Sequence, residues 1–180
     1  MSTDSDLETT PGREPVELDH SAARTSSAVA GLAGLLVVVT TVPFSVLALL
    51  PGLGGLLCLA VGLFAADSRR WVTLGALSLG LAVVAAGALG GATTPMILTG
   101  TVAVLVSWDV GQHAVTIGDQ FGVSVPTRRG ELVHAAASVI VGTVSAGIIY
   151  GVYTFGTGNQ PVLAVVLLLA GSVLLVWALR

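Results

Sequence analysis

From Ser27 to the last residues the chain is apolar, and its few polar and helix-breaking positions come in short clusters that cut the run into six segments. The pattern predicts helices over 27–45, 47–66, 71–91, 95–117, 129–154 and 161–179. Each is near the ~20 residues that a bilayer-spanning helix requires. Several boundaries have local causes. Thr94-Pro95 reads as an N-cap followed by proline at the first helical position, where its missing N–H costs nothing, and Gln160-Pro161 repeats the arrangement with a weaker cap. Asp67 or Ser68 is suited to cap the third helix, and Thr127 the fifth. The weakest boundary is the first hairpin, where Pro43 and Pro51 bracket the wholly apolar FSVLALL; a single long kinked helix there would leave five spans. The expected fold is therefore all-α, a polytopic transmembrane bundle of six spans.

Composition places this bundle in lipid. Of the 180 residues 54% are hydrophobic and 9% charged, with mean hydropathy +0.94. A water-soluble domain carries about a quarter charged residues. The 23 glycines suit helices that approach one another closely. Residues 1–25 differ: Pro11-Gly12, Pro15 and alternating charges without helical periodicity predict a disordered acidic tail ahead of a membrane domain over 26–180. The net charge of −3 is concentrated in that tail, which argues against a nucleic-acid partner. The long polar stretch before the first apolar segment is unlike a cleavable secretory signal. Cys58 is the single cysteine, so no disulfide or thiolate cluster is expected.

Charge also orders the segments. Arg24 precedes the first, Arg69 and Arg70 lie between the second and third, Arg128 and Arg129 between the fourth and fifth, and Arg180 follows the sixth. With six spans all of these fall on one side, which the positive-inside rule makes cytoplasmic for both termini. Five spans would strand Arg24. Trp71, Trp108 and Trp177 then approach the inner interface, and Phe44, Tyr150, Tyr153 and Phe155 the outer one.

Candidate chemistry begins at SWDVGQHAVTIGDQF, residues 107–121. At about 1.5 Å per residue from Pro95, Asp109 sits about 21 Å into a core roughly 30 Å thick. An ionised Asp at the centre of a span costs about 2.5–3.5 kcal/mol on insertion scales, so such a residue faces the bundle and finds partners. His113 is one turn on, the same face. Matching depths on neighbouring helices gives a polar layer of Ser78, Asp109, His113, His134 and Ser138, with Glu131, Arg128 and Arg129 at its mouth. It requires the third, fourth and fifth helices to be neighbours. Farther on, Val110, Ala114, Ile117 and Phe121 form one stripe while Gln112, Thr116, Asp119 and Gln120 lie off it, as in a helix leaving lipid for the inner surface.

Two sharp uses of that layer compete with a structural one. Asp109-x-x-x-His113 with Glu131-x-x-His134 offers carboxylate and imidazole ligands on facing helices, a pattern able to hold a divalent metal. An intramembrane Asp beside His also resembles the start of a proton relay. The structural alternative is contact with Arg128 and Arg129. Helices one, two and six carry no ionisable group inside the core, so no charged path crosses the chain, and the halves show no convincing inverted repeat. No metalloprotease, serine-hydrolase or phosphate-loop motif occurs, so no catalytic residue, metal or cofactor is assigned and an enzyme is not expected. Gly87/Gly91, Gly118/Gly122 and Gly147/Gly151 have the spacing that lets helix backbones touch.

At SWDVGQHAVTIGDQFG, TRRGELVHAAASVIVG and QPVLAVVLLLAGSVLLVWALR the chain resembles an uncharacterised family of haloarchaeal multi-pass membrane proteins, a domain of unknown function. The absence of lysine beside an acidic tail is in keeping with salt adaptation, and equally with the codon bias of a GC-rich genome. The resemblance implies a gene setting beside MoxR-type ATPases and von Willebrand factor A-like proteins, hence an accessory subunit; it carries over no catalytic residue. The expectation is a cell-membrane scaffold or accessory subunit with the tail and the Asp109–Glu131 region open to partners. The alternative is a small proton- or ion-coupled transporter using Asp109 and His113.

Overall fold

The computed structural model describes residues 22–65, 68–121 and 128–155 of the chain. Residues 1–21 of the expected tail, Asp67, Gly122, Thr127, Gln160, the sixth apolar segment 161–179, Trp177 and Arg180 lie outside the described residues, whereas 22–25, expected as the end of the tail, are ordered, with Arg24 and Thr25 opening the first helix. Five helices follow in order: α1 (Arg24–Thr41), α2 (Leu49–Ala60), α3 (Arg69–Leu89), α4 (Thr94–Phe121) and α5 (Arg128–Phe155). A 3₁₀ turn, Val46–Ala48, leads into α2, and a π turn, Val61–Ala65, prolongs it. All five stretches are long and apolar enough to cross a bilayer, and among the described residues no strand occurs.

The boundary at Pro43 resolves into two helices. After Thr41 the chain turns through Val42–Phe44, is extended at Ser45 (φ −154°, ψ 119°), and restarts. Gly34 of α1 packs against Leu56 and Leu59, and Gly52 against Val38, so the two helices run antiparallel. Pro51 sits in the first turn of α2, where a missing N–H is harmless. At the third helix Ser68 is the N-cap residue in extended geometry, but its side chain makes no capping bond; its carbonyl receives the amides of Trp71 and Val72. For α4 the carbonyl of Thr93 accepts from Met96 and Ile97, which places the cap one residue before Thr94.

Helices α1 to α4 form the packed body: α4 lies against α1 and α3, while α2 fills the space between α1 and α3. The core is layered. Ala30, Leu59, Leu63, Val72, Val106 and Val110 pack near the Arg24 end, Val37, Leu79, Val83 and Ala103 pack in the middle, and Ala48, Ala82 and Ala86 pack at the far end. Small residues permit this density, as expected where apolar burial against lipid supplies no drive. A Cβ on Gly55 would lie 2.8 Å from the Gly75 carbonyl oxygen, and one on Gly75 2.8 Å from the Leu59 nitrogen, so α2 and α3 meet backbone to backbone. The close approach is thus at Gly55 and Gly75. Of the spaced pairs expected from sequence, Gly147 and Gly151 meet nothing within 4 Å.

Helix α5 is different. It packs on α4 and touches α1, and only 6% of its most apolar window is buried, against 33–39% in the other four.

Candidate functional site

The site lies where α4 and α5 meet, in the half of the bundle that begins at Arg24. Three contacts fix that half as one end. The Ala23 amide donates to the Ala114 carbonyl (3.1 Å), an Arg69 Nη donates to Thr116 Oγ1 (3.0 Å), and Gln112 Nε2 donates to the Arg69 carbonyl (3.0 Å). Arg24, Arg69, Arg70, Arg128 and Arg129 are all exposed, and the starts of α1, α3 and α5 meet the late turns of α4. Trp108 joins them, its indole N–H reaching Thr73 Oγ1 at 3.4 Å.

Asp109 is the centre. His134 Nε2 lies 3.1 Å from its Oδ2, a close polar contact that does not meet hydrogen-bond geometry. Ser138 Oγ donates to the same oxygen and also lies 3.1 Å from the His134 carbonyl. The rings of His113 and His134 stack with centroids 4.0 Å apart and planes at 26°. Helix geometry explains the grouping: 109 and 113 are one turn apart on α4, 134 and 138 one turn apart on α5. The Asp109 and His134 side chains are 45% and 35% exposed, so the cluster opens outward.

It opens into a groove of about 410 Å³ between α4 and α5, bounded mainly by Leu105, Val141, Gly142, Ala146 and Ile149 above the Asp109 carboxylate. The groove is apolar along its length and polar at one end. An anionic oxygen facing a hydrocarbon wall is costly unless something covers it.

Two residues of the expected layer are placed elsewhere. Ser78 is not part of it, because α3 packs on α2 and α4 while α5 occupies the other flank of α4; Ser78 Oγ instead donates to the Pro51 carbonyl at 2.8 Å. Glu131 is not at an open mouth. It is 4% exposed, and its Oε2 accepts both the Ser26 amide (2.8 Å) and Ser26 Oγ (2.9 Å). The reason lies in α1, which has no capping side chain at Ala23 and no acidic residue in its first turn. Its free amides and positive helix end are met from α5 by a residue 105 positions away. With Glu131 turned to α1, the two carboxylates and two imidazoles suggested by spacing do not converge on one point.

Sequence reasoning missed Ser26 and Ser107. Ser107 Oγ donates to the Ala30 carbonyl at 2.9 Å in the buried contact of α4 with α1. Isolated serines in apolar runs carry no signal of their rotation. Along the late turns of α4, Val110, Ala114 and Ile117 of the expected stripe are buried, Gln112 and Thr116 bond to polar groups of α3, and Asp119 is exposed.

No curated protein and no solved structure matches the chain. A family described as one of unknown function, DUF7519, matches residues 20–176, which takes in all five described helices and stops short of most of the acidic tail. The chain belongs to the DUF7519 family.

Proposed function

We propose that the protein is a six-span integral membrane protein, with both termini and every loop arginine on the cytoplasmic side, that serves as a non-enzymatic scaffold or accessory subunit of a membrane complex. One observation carries this reading. Among the described residues every acidic and imidazole side chain, Asp109, His113, Asp119, Glu131 and His134, lies in the half that bears the arginines. Two of them tie helices together: Glu131, buried, holds α1, and Asp109, partly exposed, holds α5 through Ser138 and His134. Polar groups used as interhelix ties are the usual means of fixing a membrane bundle, and a transport path needs them distributed through its depth. Exposed Arg128 and Arg129 at the start of α5 supply a charged docking point, and a MoxR-type ATPase is the partner class that the family resemblance suggests.

Affinity purification of the full chain from native membranes tests this. The account expects a co-purifying partner whose recovery falls at least tenfold in Arg128→Gln/Arg129→Gln, with the variant still folded. Equal recovery from the variant would count against it.

The Asp109 carboxylate facing the groove favours one second reading, a proton- or ion-coupled carrier using Asp109 and His113. Proteoliposomes of the unmodified protein would then show pH-dependent flux that Asp109→Asn abolishes. Without such flux, the carrier reading is lost.

A further inference from the structure

We propose that the groove between α3 and α4 holds one chain of an anionic phospholipid whose phosphate is met by Arg69 and Arg70. The inference requires that the chain lie in a membrane, as proposed above, and is independent of the number of spans and of any protein partner.

Every outward apolar face of a spanning helix meets hydrocarbon, so an apolar groove by itself names no occupant. Charge at its end does. The groove between α4 and α5 ends in the Asp109 carboxylate, which repels an anionic head, and the one between α1 and α5, about 280 Å³, has no ionisable side chain on its walls. A further groove, of about 510 Å³, is walled by Leu77, Gly80 and Val84 of α3 and by Val104, Leu105 and Trp108 of α4. Its polar end lies at Thr73, and Arg69 stands one helical turn above Thr73 on the same face.

Hydrogen bonds between the two helices fix that end. Gln112 Nε2 donates to Thr73 Oγ1 (3.0 Å) and to the Arg69 carbonyl (3.0 Å), and the Trp108 indole N–H reaches Thr73 Oγ1 at 3.4 Å. An Arg69 Nη donates across to Thr116 Oγ1 (3.0 Å), whose own hydroxyl donates to the Gln112 carbonyl (2.8 Å). The guanidinium is thereby held between α3 and α4, exposed, with one of its five N–H donors engaged. Arg70, also exposed, adds a second charge at the next position. Among the described residues neither has an acidic partner within 4 Å, Asp119 included, and the first turn of α3 contains no carboxylate. Two uncompensated cations at the end of an apolar channel fit a ligand with a phosphate at one end and a hydrocarbon chain at the other.

Length and depth agree. From Thr73 to Val84 the groove runs about 16 Å along the helix axis, about half of a hydrocarbon core roughly 30 Å thick. It thus spans one leaflet, with Trp108 at the interfacial end, where an indole is favoured. Gly80 keeps its floor open: a Cβ there would meet only Val104 Cγ1, at 4.0 Å, whereas at Gly75, on the α2 side of the same helix, it would lie 2.8 Å from the Leu59 nitrogen.

Native mass spectrometry of the full chain, released from nanodiscs holding equal parts of phosphatidylglycerol and phosphatidylcholine, tests the site. One phosphatidylglycerol per chain should be retained with a preference of about thirtyfold, about fivefold for each arginine. Arg69→Gln/Arg70→Gln should abolish the preference. Gly80→Leu, which fills the groove, should abolish retention, and Leu77→Trp on the same wall does so again should Gly80→Leu disturb the fold. Gly147→Leu, which adds the same bulk to α5 where nothing lies within 4 Å, and Arg24→Gln, which removes a charge at the same end, should leave both unchanged. Equal retention of the two lipids, retention undiminished in both groove-filling variants, or an equal loss in Arg24→Gln would each overturn the proposal. So would full displacement by water-soluble glycerophosphoglycerol, which would show an anion site that takes no chain. Resistance to alkaline carbonate extraction reads membrane integration separately: a chain that resists extraction yet retains no lipid refutes the site and leaves the membrane reading intact.

Discussion

Helices α2 and α5 are both apolar and both peripheral, yet they are held in opposite ways. Helix α2 lies flat on α3, with Gly55 and Gly75 letting the backbones touch and Leu59 fully buried, and Ser78 donates to its Pro51 carbonyl. Helix α5 leaves Ile140, Val144 and Ile148 exposed along one stripe. The polar contacts of α5 lie at its first three turns, where Glu131 caps α1 and His134 and Ser138 meet Asp109, and farther on its closest approach is Gly142 against Val102 of α4. Packing fixes α2 along its length, whereas the polar contacts of α5 gather at one end and its packing on α4 is sparse.

The largest effect expected from this contrast is at the glycine contact. Gly75→Ala puts a methyl group 2.8 Å from the Leu59 nitrogen and 2.9 Å from the Gly55 oxygen, and should cost about 3 kcal/mol as α2 and α3 are forced apart. Unfolding by sodium dodecyl sulfate titration in bicelles reads this loss. A cost below about 1 kcal/mol would mean that α2 is not held by backbone approach.

Next comes Glu131→Ala, which leaves the buried amide and hydroxyl of Ser26 unpaired and should cost about 2 kcal/mol. Hydrogen exchange at the Ser26 amide should accelerate in the same variant, and unchanged exchange would show that the cap is not made. Asp109→Ala should cost about 1 kcal/mol, near the upper range for interhelical hydrogen bonds in bilayers, and should not add fully to Ser138→Ala because the two share one contact. Full additivity would show that the hydroxyl and the carboxylate act separately. Smallest is Ser78→Ala, expected to lower stability by about 0.6 kcal/mol through the loss of its bond to Pro51.

What could be read from sequence divides along the same lines. Helix positions were legible because breakers and arginines interrupt the apolar runs, and the separation of α1 from α2 at Pro43 follows the proline and the turn after Thr41. Depth was legible too, since a fixed rise per residue brings Asp109, His134 and Ser138 to one level. Rotation was not. In a chain whose faces are all apolar, no amphipathic stripe says which side of α3 bears Ser78 or which neighbour Glu131 addresses, and both were assigned by depth alone. The Ser26 and Ser107 ties were invisible for the same reason. The Gly55–Gly75 contact was hidden among 23 glycines because its two members lie on different helices and form no spaced pair.

The central claim is that polar contacts at the Arg24 end hold α5 to the body more strongly than its exposed apolar stripe does. Comparing the unfolding free energies of Glu131→Ala and Val144→Ala in the same bicelles tests it most directly. The account predicts a loss of about 2 kcal/mol for the first and close to none for the second, whose side chain is 56% exposed. A larger loss at Val144 than at Glu131 would contradict it.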